Sequence, residues 1–223
     1  SDEVRWGDQY KSSNTILNNV RHQLQDRYVR TDVGRDGQAV VTAFNDGQHP
    51  VDVVPGFYAG PADNGYPMFY IPDGSGGWMK TAPQLHNKFI ADADTRSLGK
   101  LKNVARLVKF WAARRAHSQS LSGFHVELLL AQEAICVGAK TYAECVTDAL
   151  QLLCQRTCRA LQDPKGISGY VKAAGTESKR LLLYEAVQNS SGNAALALDA
   201  ESRLNTQESI RRWNMVFNDS FPK

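Results

Sequence analysis

The spacing of apolar residues changes once along the 223-residue chain, near residue 97. Before that point, short runs rich in valine and aromatic residues alternate with turns rich in glycine, proline and aspartate, which is typical of short antiparallel strands. After it, apolar residues recur at intervals of three and four, as they do on one face of a helix. The sequence therefore predicts an α+β protein in two parts, one that contains the short strands in residues 1–97 and a helical bundle in residues 98–223, with a cleft between them.

A single carboxylate interrupts the most β-prone run of the first part, VDVVPGF at residues 51–57. Residues 29–57 predict a small antiparallel meander with Asp52 on its last strand. An ionised carboxylate inside a strand is costly unless a cation or a metal ion compensates it. Asp52 is therefore the leading functional candidate of this part. The alternative is an edge-strand aspartate that faces water beside the His49–Pro50 turn.

The first part also predicts two helices. Ser12 and Ser13 can cap a helix that begins there, and Thr81 with Pro83 marks the start of another over residues 84–92. The second predicted helix ends in an Asp-x-Asp sequence, Asp92 and Asp94, that resembles a metal-binding pair. Because this pair follows a helix rather than lying on a strand, we expect a solvated loop.

The first helix of the second part combines an apolar face with a separate row of cations, Lys102, Arg106 and Lys109. Such a row can reach a polyphosphate, and the alternative is a solvated basic face. The predicted core-facing residues are Leu101, Val104, Ala105, Val108, Trp111 and Ala112.

The next helix is predicted to begin at residues 120–123, where serine hydroxyls and free backbone N–H groups suit an anion. Ser122 is the candidate phosphate contact at this start. Phe124 is either a core residue or a platform on which a base stacks. His125, taken alone, is more often structural than catalytic.

Charge and cysteine content narrow the function classes. A net charge of +3 is too small to argue for nucleic-acid binding, so no nucleic-acid activator is expected. Cys154 and Cys158 share a face of a predicted helix, but the four cysteines lack paired C-x-x-C spacing, which favours small buried residues over a zinc site. No apolar run reaches the length of a membrane span, and a cytoplasmic protein without a membrane partner is expected.

Five short segments span nearly the whole chain: VDVVPGF (51–57), WMKTAP (78–83), LVKFW (107–111), SGFHVE (122–127) and ESIRRW (208–213). In this order they resemble the CD-NTases, bacterial relatives of cyclic GMP-AMP synthase and oligoadenylate synthase. The resemblance implies a polymerase-β-like nucleotidyltransferase core, here an antiparallel meander incomplete at its N-terminus, packed on a C-terminal helical bundle. It also implies an enzyme that joins nucleoside triphosphates, ATP among them, into a cyclic or linear oligonucleotide second messenger.

The resemblance assigns roles to individual residues. In the family, three acidic residues hold two Mg²⁺ ions, for which Mn²⁺ can substitute, and Asp52 matches the third of them as metal ligand and general base. Lys109 matches the helix lysine that binds triphosphate, and Phe124 matches the aromatic residue that stacks on a base. This chain has Gly123 where the family usually has serine, so Ser122 is the candidate substitute.

One departure from the family concerns the metal ligands. Relatives carry a Gly-Ser motif and a strand Asp-x-Asp upstream of the matched region, and nothing between Ser1 and Asp52 fits either. One aspartate cannot hold two divalent ions about 3.5 to 4 Å apart. From the sequence we therefore expect that Ser1 is not the natural start and that this chain alone is an inactive fragment.

The family commonly acts in anti-phage signalling of the CBASS type, in which the oligonucleotide activates an effector protein and a regulatory protein controls some of the synthases. Two alternatives remain open at this point. The first is a nucleotide-binding or scaffold protein that keeps the fold without catalysis. The second is a polymerase-β-like transferase that modifies RNA ends, which would predict a more basic groove.

Overall fold

The computed structural model describes residues 12–44, 49–62, 64–115 and 121–220. It divides into two compact units, Ser1–Leu85 and His86–Lys223, which we call the first unit and the helical unit. The sequence placed the boundary between residues 97 and 98. The division lies earlier because Ile90 and Ala93 of the helix at residues 83–96 pack in the core of the helical unit.

The first unit begins with a helix packed on a three-stranded antiparallel sheet. The Ser12 side chain caps this helix by accepting a hydrogen bond from the Asn14 N–H at 3.3 Å. The strands pair in chain order, which confirms the predicted meander, and residues 45–48 between its last two strands lie outside the described residues. The elements are α1 (Ser13–Arg27), β1 (Asp32–Asp36), β2 (Ala39–Phe44) and β3 (His49–Val53), and their small core consists of Leu17, Val33 and Val40.

The run at residues 51–57 is not one strand. β3 ends at Val53, and the chain enters a second three-stranded antiparallel sheet at Phe57. Pro55 cannot donate a ladder hydrogen bond and Gly56 has no side chain to pack, so the strand breaks between the two sheets. The second sheet consists of β4 (Phe57–Pro61), β5 (Pro67–Pro72) and β6 (Trp78–Thr81).

The helical unit has one core, to which the helix at Lys100–Ala113 contributes its predicted core-facing residues. All six of the predicted core-facing residues of this helix are buried, so this prediction is confirmed. The predicted loop at Asp92 and Asp94 is wrong: both residues lie inside a helix, where Asp92 pairs with Lys88 one turn before it. The helices are α2 (Pro83–Arg96), α3 (Lys100–Ala113), α4 (Gly123–Gln132), α5 (Tyr142–Gln155), α6 (Glu177–Ser202) and α7 (Thr206–Val216).

A short hairpin, β7 (Leu161–Gln162) and β8 (Tyr170–Val171), interrupts the helices and was not predicted. Cys136, Cys145 and Cys158 are buried free thiols, which confirms the prediction of small buried residues for these three, while the free thiol Cys154 is only partly buried. Burial raises the pKa of Cys158 to about 12, so its thiol stays protonated. None of the helices within the described ranges is long and apolar enough to cross a bilayer.

Candidate functional site

The start of α4 is fixed by hydrogen bonds on both sides of Ser122. Its hydroxyl oxygen accepts the backbone N–H of His125 at 3.3 Å, which makes Ser122 the N-cap. Its own backbone N–H donates to the carbonyl oxygen of Ala173 at 2.8 Å, in the segment after β8. The first turn of the helix is therefore held against the segment that follows the hairpin, and its hydroxyl already serves the helix as a cap.

Lys109 reaches this helix start from α3. Its ammonium pairs with Glu127 of α4, and the two side chains are 39% and 30% exposed. A Cβ atom placed on Gly123 would lie 2.8 Å from Cε of Lys109 and 3.2 Å from its Nζ. The stem of the lysine thus occupies the space that a side chain at position 123 would take. This contact gives a physical reason for glycine where the family usually has serine.

We expect Gly123→Ala to change the free energy of unfolding differently in two backgrounds. In a Lys109→Ala protein the space is free, and the substitution should stabilise the helix start by about 0.5 to 1 kcal/mol because alanine loses less backbone entropy than glycine. In the wild-type background the new methyl group must displace Lys109, so the gain should shrink or change sign. Urea denaturation of the four proteins measures the coupling. Equal effects in the two backgrounds would show that the lysine does not fill this space.

Phe124 is half-buried beside a buried polar pair. Its ring meets the His86 ring edge-to-face, with centroids 5.2 Å apart and planes at 75°. Nε2 of His86 donates a hydrogen bond to Oδ2 of Asp163 at 2.9 Å, and the two side chains are 2% and 0% exposed. The pair therefore supports one side of Phe124 from within the helical unit. One face of this aromatic residue is fixed by the protein, and the residue remains partly open to solvent.

Asp163 accepts three further hydrogen bonds from the turn that joins β7 to β8. The backbone N–H of Lys165 donates to Oδ1 at 2.9 Å, and those of Ile167 and Ser168 donate to Oδ2 at 3.0 and 2.8 Å. Burial alone would raise the pKa of Asp163, but the bonds from His86 and from the Ser168 and Lys165 N–H groups lower it well below its usual value. The carboxylate is therefore ionised at neutral pH and organises the hairpin turn. Neither His86 nor Asp163 was predicted, although the Asp-Pro sequence before a glycine is a recognisable turn signal.

His125, which follows Phe124, is a buried structural residue. Its Nδ1–H donates to the Val171 carbonyl oxygen at 2.9 Å. Burial lowers the pKa of His125, the bond to Val171 raises it, and the charge of Arg156 lowers it, with a net decrease. The ring is therefore neutral at pH 7 and ties α4 to β8.

The other two cations of the α3 row have different contacts. The Lys102 backbone N–H donates to Oδ1 of Asp94 at 3.0 Å, and its ammonium lies 3.7 Å from Oδ2 of the same carboxylate. Arg106 donates to Oδ1 of Asn103 at 3.2 Å, within its own helix. The structure thus brings Lys109, Ser122 and Phe124 together around the start of α4. Lys102 and Arg106 are exposed and lie nearer the N-terminal end of α3.

Asp52 is exposed on β3, opposite Val41 of β2. Because side chains alternate along a strand, Asp52 shares a face of the sheet with Asp32 and Asp36 of β1, and Val40 lies on the other face with α1. Two strand spacings separate β1 from β3, so these carboxylates are about 10 Å or more from Asp52. β3 is an edge of the described sheet, and the alternative of an exposed edge-strand aspartate agrees with this position.

A carboxylate oxygen is a suitable ligand for Mg²⁺, and Asp52 can supply one. Within the part of the chain that the structure describes, no three His, Cys, Asp or Glu side chains come together as a metal site. The described residues therefore provide a single candidate ligand and do not form a two-metal centre on their own.

The fold defines a class of protein. CdnC of E. coli MS115-1, solved with ATP, superimposes with a TM-score of 0.69 at 19% identity, covering 97% of this chain and 76% of CdnC. A structure of the same protein in complex with HORMA-deltaN gives a TM-score of 0.67 at 20% identity, over 97% of this chain and 75% of the other. The Vibrio cholerae cyclic AMP-GMP synthase DncV, solved with a linear intermediate, gives 0.66 at 14% identity, over 94% and 59%. The chain has the fold of these nucleotidyltransferases, which confirms the predicted fold class.

Sequence comparison points to the same family. The chain is 26% identical over 200 residues to a probable cyclic nucleotide synthase of Bacillus cereus (strain VD146), a match that covers 88% of this chain and 59% of the relative. The chain thus spans about three-fifths of the length of this curated relative. No protein-family model matches the chain. The sequence match and the shared fold together confirm the resemblance to the CD-NTase family.

Proposed function

We propose that this chain is part of a nucleotidyltransferase that joins nucleoside triphosphates, ATP among them, into a cyclic or linear oligonucleotide. The observation that carries the proposal is the arrangement at the start of α4, where Lys109 lies over Gly123 and Phe124 is held by the His86–Asp163 pair. A cation beside an aromatic ring at a helix start suits a nucleotide, with phosphate on the cation and the base on the ring. The curated relative is itself a probable cyclic nucleotide synthase.

Each residue of this arrangement has a defined task. Lys109 neutralises phosphate oxygens, and its pairing with Glu127 holds the ammonium near the helix start until a triphosphate competes for it. Phe124 stacks on the base, and its support by His86 restricts the ring before the nucleotide arrives. Ser122 caps the start of α4, and the first turn that follows it has backbone N–H groups without an acceptor in the helix. Lys102 and Arg106 take part only as a more distant positive row.

Asp52 is the proposed magnesium ligand and the proposed acceptor of the proton of an attacking ribose hydroxyl. A bound pair of Mg²⁺ ions would supply charge neutralisation for in-line phosphoryl transfer. Asp52 can hold such an ion only together with ligands other than those that the described residues bring together. The chain by itself is accordingly proposed to bind nucleotide without turning it over.

The cellular role follows the family. We infer that the oligonucleotide acts in cytoplasmic anti-phage signalling and activates an effector protein. CdnC has been solved in complex with HORMA-deltaN. A regulatory protein partner is proposed for this protein by analogy.

We expect Lys109→Met to raise the Kd for ATP by about 10- to 100-fold, because it removes a charge-assisted contact worth about 1.5 to 3 kcal/mol. Titration calorimetry with the 223-residue protein measures the change. Lys140→Met is the matched control, since Lys140 also pairs with a carboxylate, Asp148, and is 41% exposed. Equal Kd values for the wild-type protein and the Lys109 variant would remove Lys109 from the nucleotide site.

A second candidate function is a nucleotide-binding protein without catalysis. It is kept because no three His, Cys, Asp or Glu side chains come together as a metal site among the described residues. Incubating the full-length gene product with the four nucleoside triphosphates and Mg²⁺ separates the two candidates. A phosphatase-resistant product that needs Asp52 supports the synthase. Nucleotide binding without any product, tested also with a co-purified partner protein, supports the silent protein.

A further inference from the structure

A cavity of about 570 Å³ lies in the helical unit between the β7–β8 hairpin and the start of α6. It is larger than the cavities of about 460 and 340 Å³ that border α7. Its volume falls in the range of small-molecule sites, about 300 to 1,000 Å³. The lining residues that matter for its chemistry are Arg159, Tyr170, Lys172, Glu177 and Arg180.

Three cations and one carboxylate line this cavity. Arg180 is the fixed one: two of its nitrogens donate to the Glu177 carboxylate at 2.8 and 2.6 Å, and a third bonds the Thr157 carbonyl oxygen. Arg159 and Lys172 are exposed, and within the described part of the chain their side chains form no hydrogen bond, although the charge of Arg159 helps to lower the pKa of Glu177. Two cations with uncommitted donors therefore border the cavity beside a third that is already fixed. The lining carries more positive than negative charge, which suits a polyanion.

Tyr170 provides an apolar surface at the same cavity. Its side chain is 69% exposed, although it sits on β8 opposite Gln162. An exposed aromatic ring beside uncommitted cations suits a base and its phosphates, because a base stacks on the ring while guanidinium and ammonium groups bind phosphate oxygens. In the first turn of α6 the backbone N–H groups of Lys179 and Arg180 already bond to Thr176, so only those of Glu177 and Ser178 lack an acceptor within the helix.

We propose that this cavity is a second nucleotide site, which binds the phosphates of a nucleoside phosphate with Arg159, Lys172 and Arg180 and its base with Tyr170. Its lining includes neither Lys109 nor Phe124. The proposal therefore goes beyond the site at the start of α4 and does not depend on it.

The test is ATP binding to the 223-residue protein in the Lys109→Met background, which weakens the other proposed site. Titration calorimetry should still detect saturable binding of ATP. Adding Arg159→Ala and Lys172→Ala should raise the remaining Kd by about a hundredfold, because each removes one charge-assisted contact. Glu177→Gln should change it in the opposite direction and tighten binding, because it removes the negative charge of the lining and releases Arg180.

Lys179→Ala is the matched control, since Lys179 is exposed on the same turn of α6 but does not line the cavity. It should change the Kd less than twofold at 150 mM salt, because Lys179 does not contact the cavity and salt weakens the effect of exposed charges that make no direct contact. If Lys179→Ala raised the Kd for ATP as much as Lys172→Ala does, the effect would be one of general surface charge, and the proposal would be overturned. Abolition of all ATP binding by Lys109→Met alone would also overturn it.

The base contact has its own test. Tyr170→Ala should raise the Kd for ATP by about tenfold and leave the Kd for pyrophosphate unchanged, because a base stacks on the ring and pyrophosphate has no base. Unchanged ATP binding by this variant would overturn the assignment of a nucleoside ligand. If Arg159→Ala and Lys172→Ala leave the Kd for ATP unchanged while Lys109→Met raises it as expected, only this proposal is overturned. If Lys109→Met leaves the Kd for ATP unchanged while Arg159→Ala and Lys172→Ala raise it, only the proposed site at the start of α4 is overturned.

Discussion

Asp163→Asn is expected to lower the free energy of unfolding of the helical unit by about 3 kcal/mol or more. Four donors converge on the two oxygens of this carboxylate: the His86 ring and the N–H groups of Lys165, Ile167 and Ser168. An asparagine in either orientation turns an NH₂ group towards at least one backbone N–H. The donor that it faces stays unsatisfied in a side-chain environment that is 0% exposed. Urea denaturation followed by tryptophan fluorescence measures the change.

Asp148→Asn is the control for this substitution, because the Lys140–Asp148 pair is exposed and should contribute about 0 to 1 kcal/mol. Acid pH provides a second readout. The native pKa of Asp163 is lower than that of an unfolded aspartate, about 3.9, so its stabilisation is full above that pH. It is lost as the pH falls through the lower native pKa, and the difference between the wild-type and variant proteins should shrink there. Equal losses for Asp163→Asn and Asp148→Asn would contradict the role of Asp163.

Asp52→Asn is expected to lower the turnover of the full-length gene product by about a thousandfold, while ATP still binds. A metal ion contributes several kcal/mol of transition-state stabilisation, and each 1.36 kcal/mol is a factor of ten in rate. The amide is a poorer magnesium ligand and cannot accept the ribose proton. The exposed position of Asp52 predicts little effect on stability, which separates a catalytic loss from unfolding. Oligonucleotide formation with saturating Mg²⁺ and nucleoside triphosphates is the measurement.

Asp36→Asn is the matched control for Asp52→Asn, since Asp36 is also exposed and shares the same sheet face, on β1. It should leave turnover unchanged. Full activity of the Asp52 variant would remove Asp52 from the metal site and leave it as an ordinary edge-strand aspartate. Activity that falls equally in both variants would point to the charge of the sheet face instead of a ligand.

Much of the local structure could be predicted because it depends on spacing within a short segment. The stripe of α3 follows from apolar residues three and four apart, and all of its members are buried. The meander follows from β-prone runs between turn residues, and the cap at Ser12 follows from a hydroxyl before an amphipathic run. The candidate residues Lys109, Ser122 and Phe124 came from the family resemblance, and the structure places them around the start of α4.

The errors came from segments in which local signals compete. Residues 51–57 read as one strand because of their valines, but Pro55 and Gly56 divide them between two sheets. Asp92 and Asp94 read as a loop because of their polarity. They lie in α2 because Ile90 and Ala93 of the same helix pack in the core of the helical unit. Burial against a distant element outweighed the polar composition there.

The sequence by itself determined most of the helices, the first meander, the α+β class and the resemblance to the CD-NTase family, because helix and strand periods and short motifs are local properties. Only the tertiary structure decided which side chains meet. His86 and Asp163 are 77 residues apart, and no spacing rule pairs them. The reason for a glycine at position 123 becomes apparent only from its contact with Lys109, which lies on another helix. Contacts of this kind depend on how helices pack around a shared core, and that packing is set by the whole chain at once.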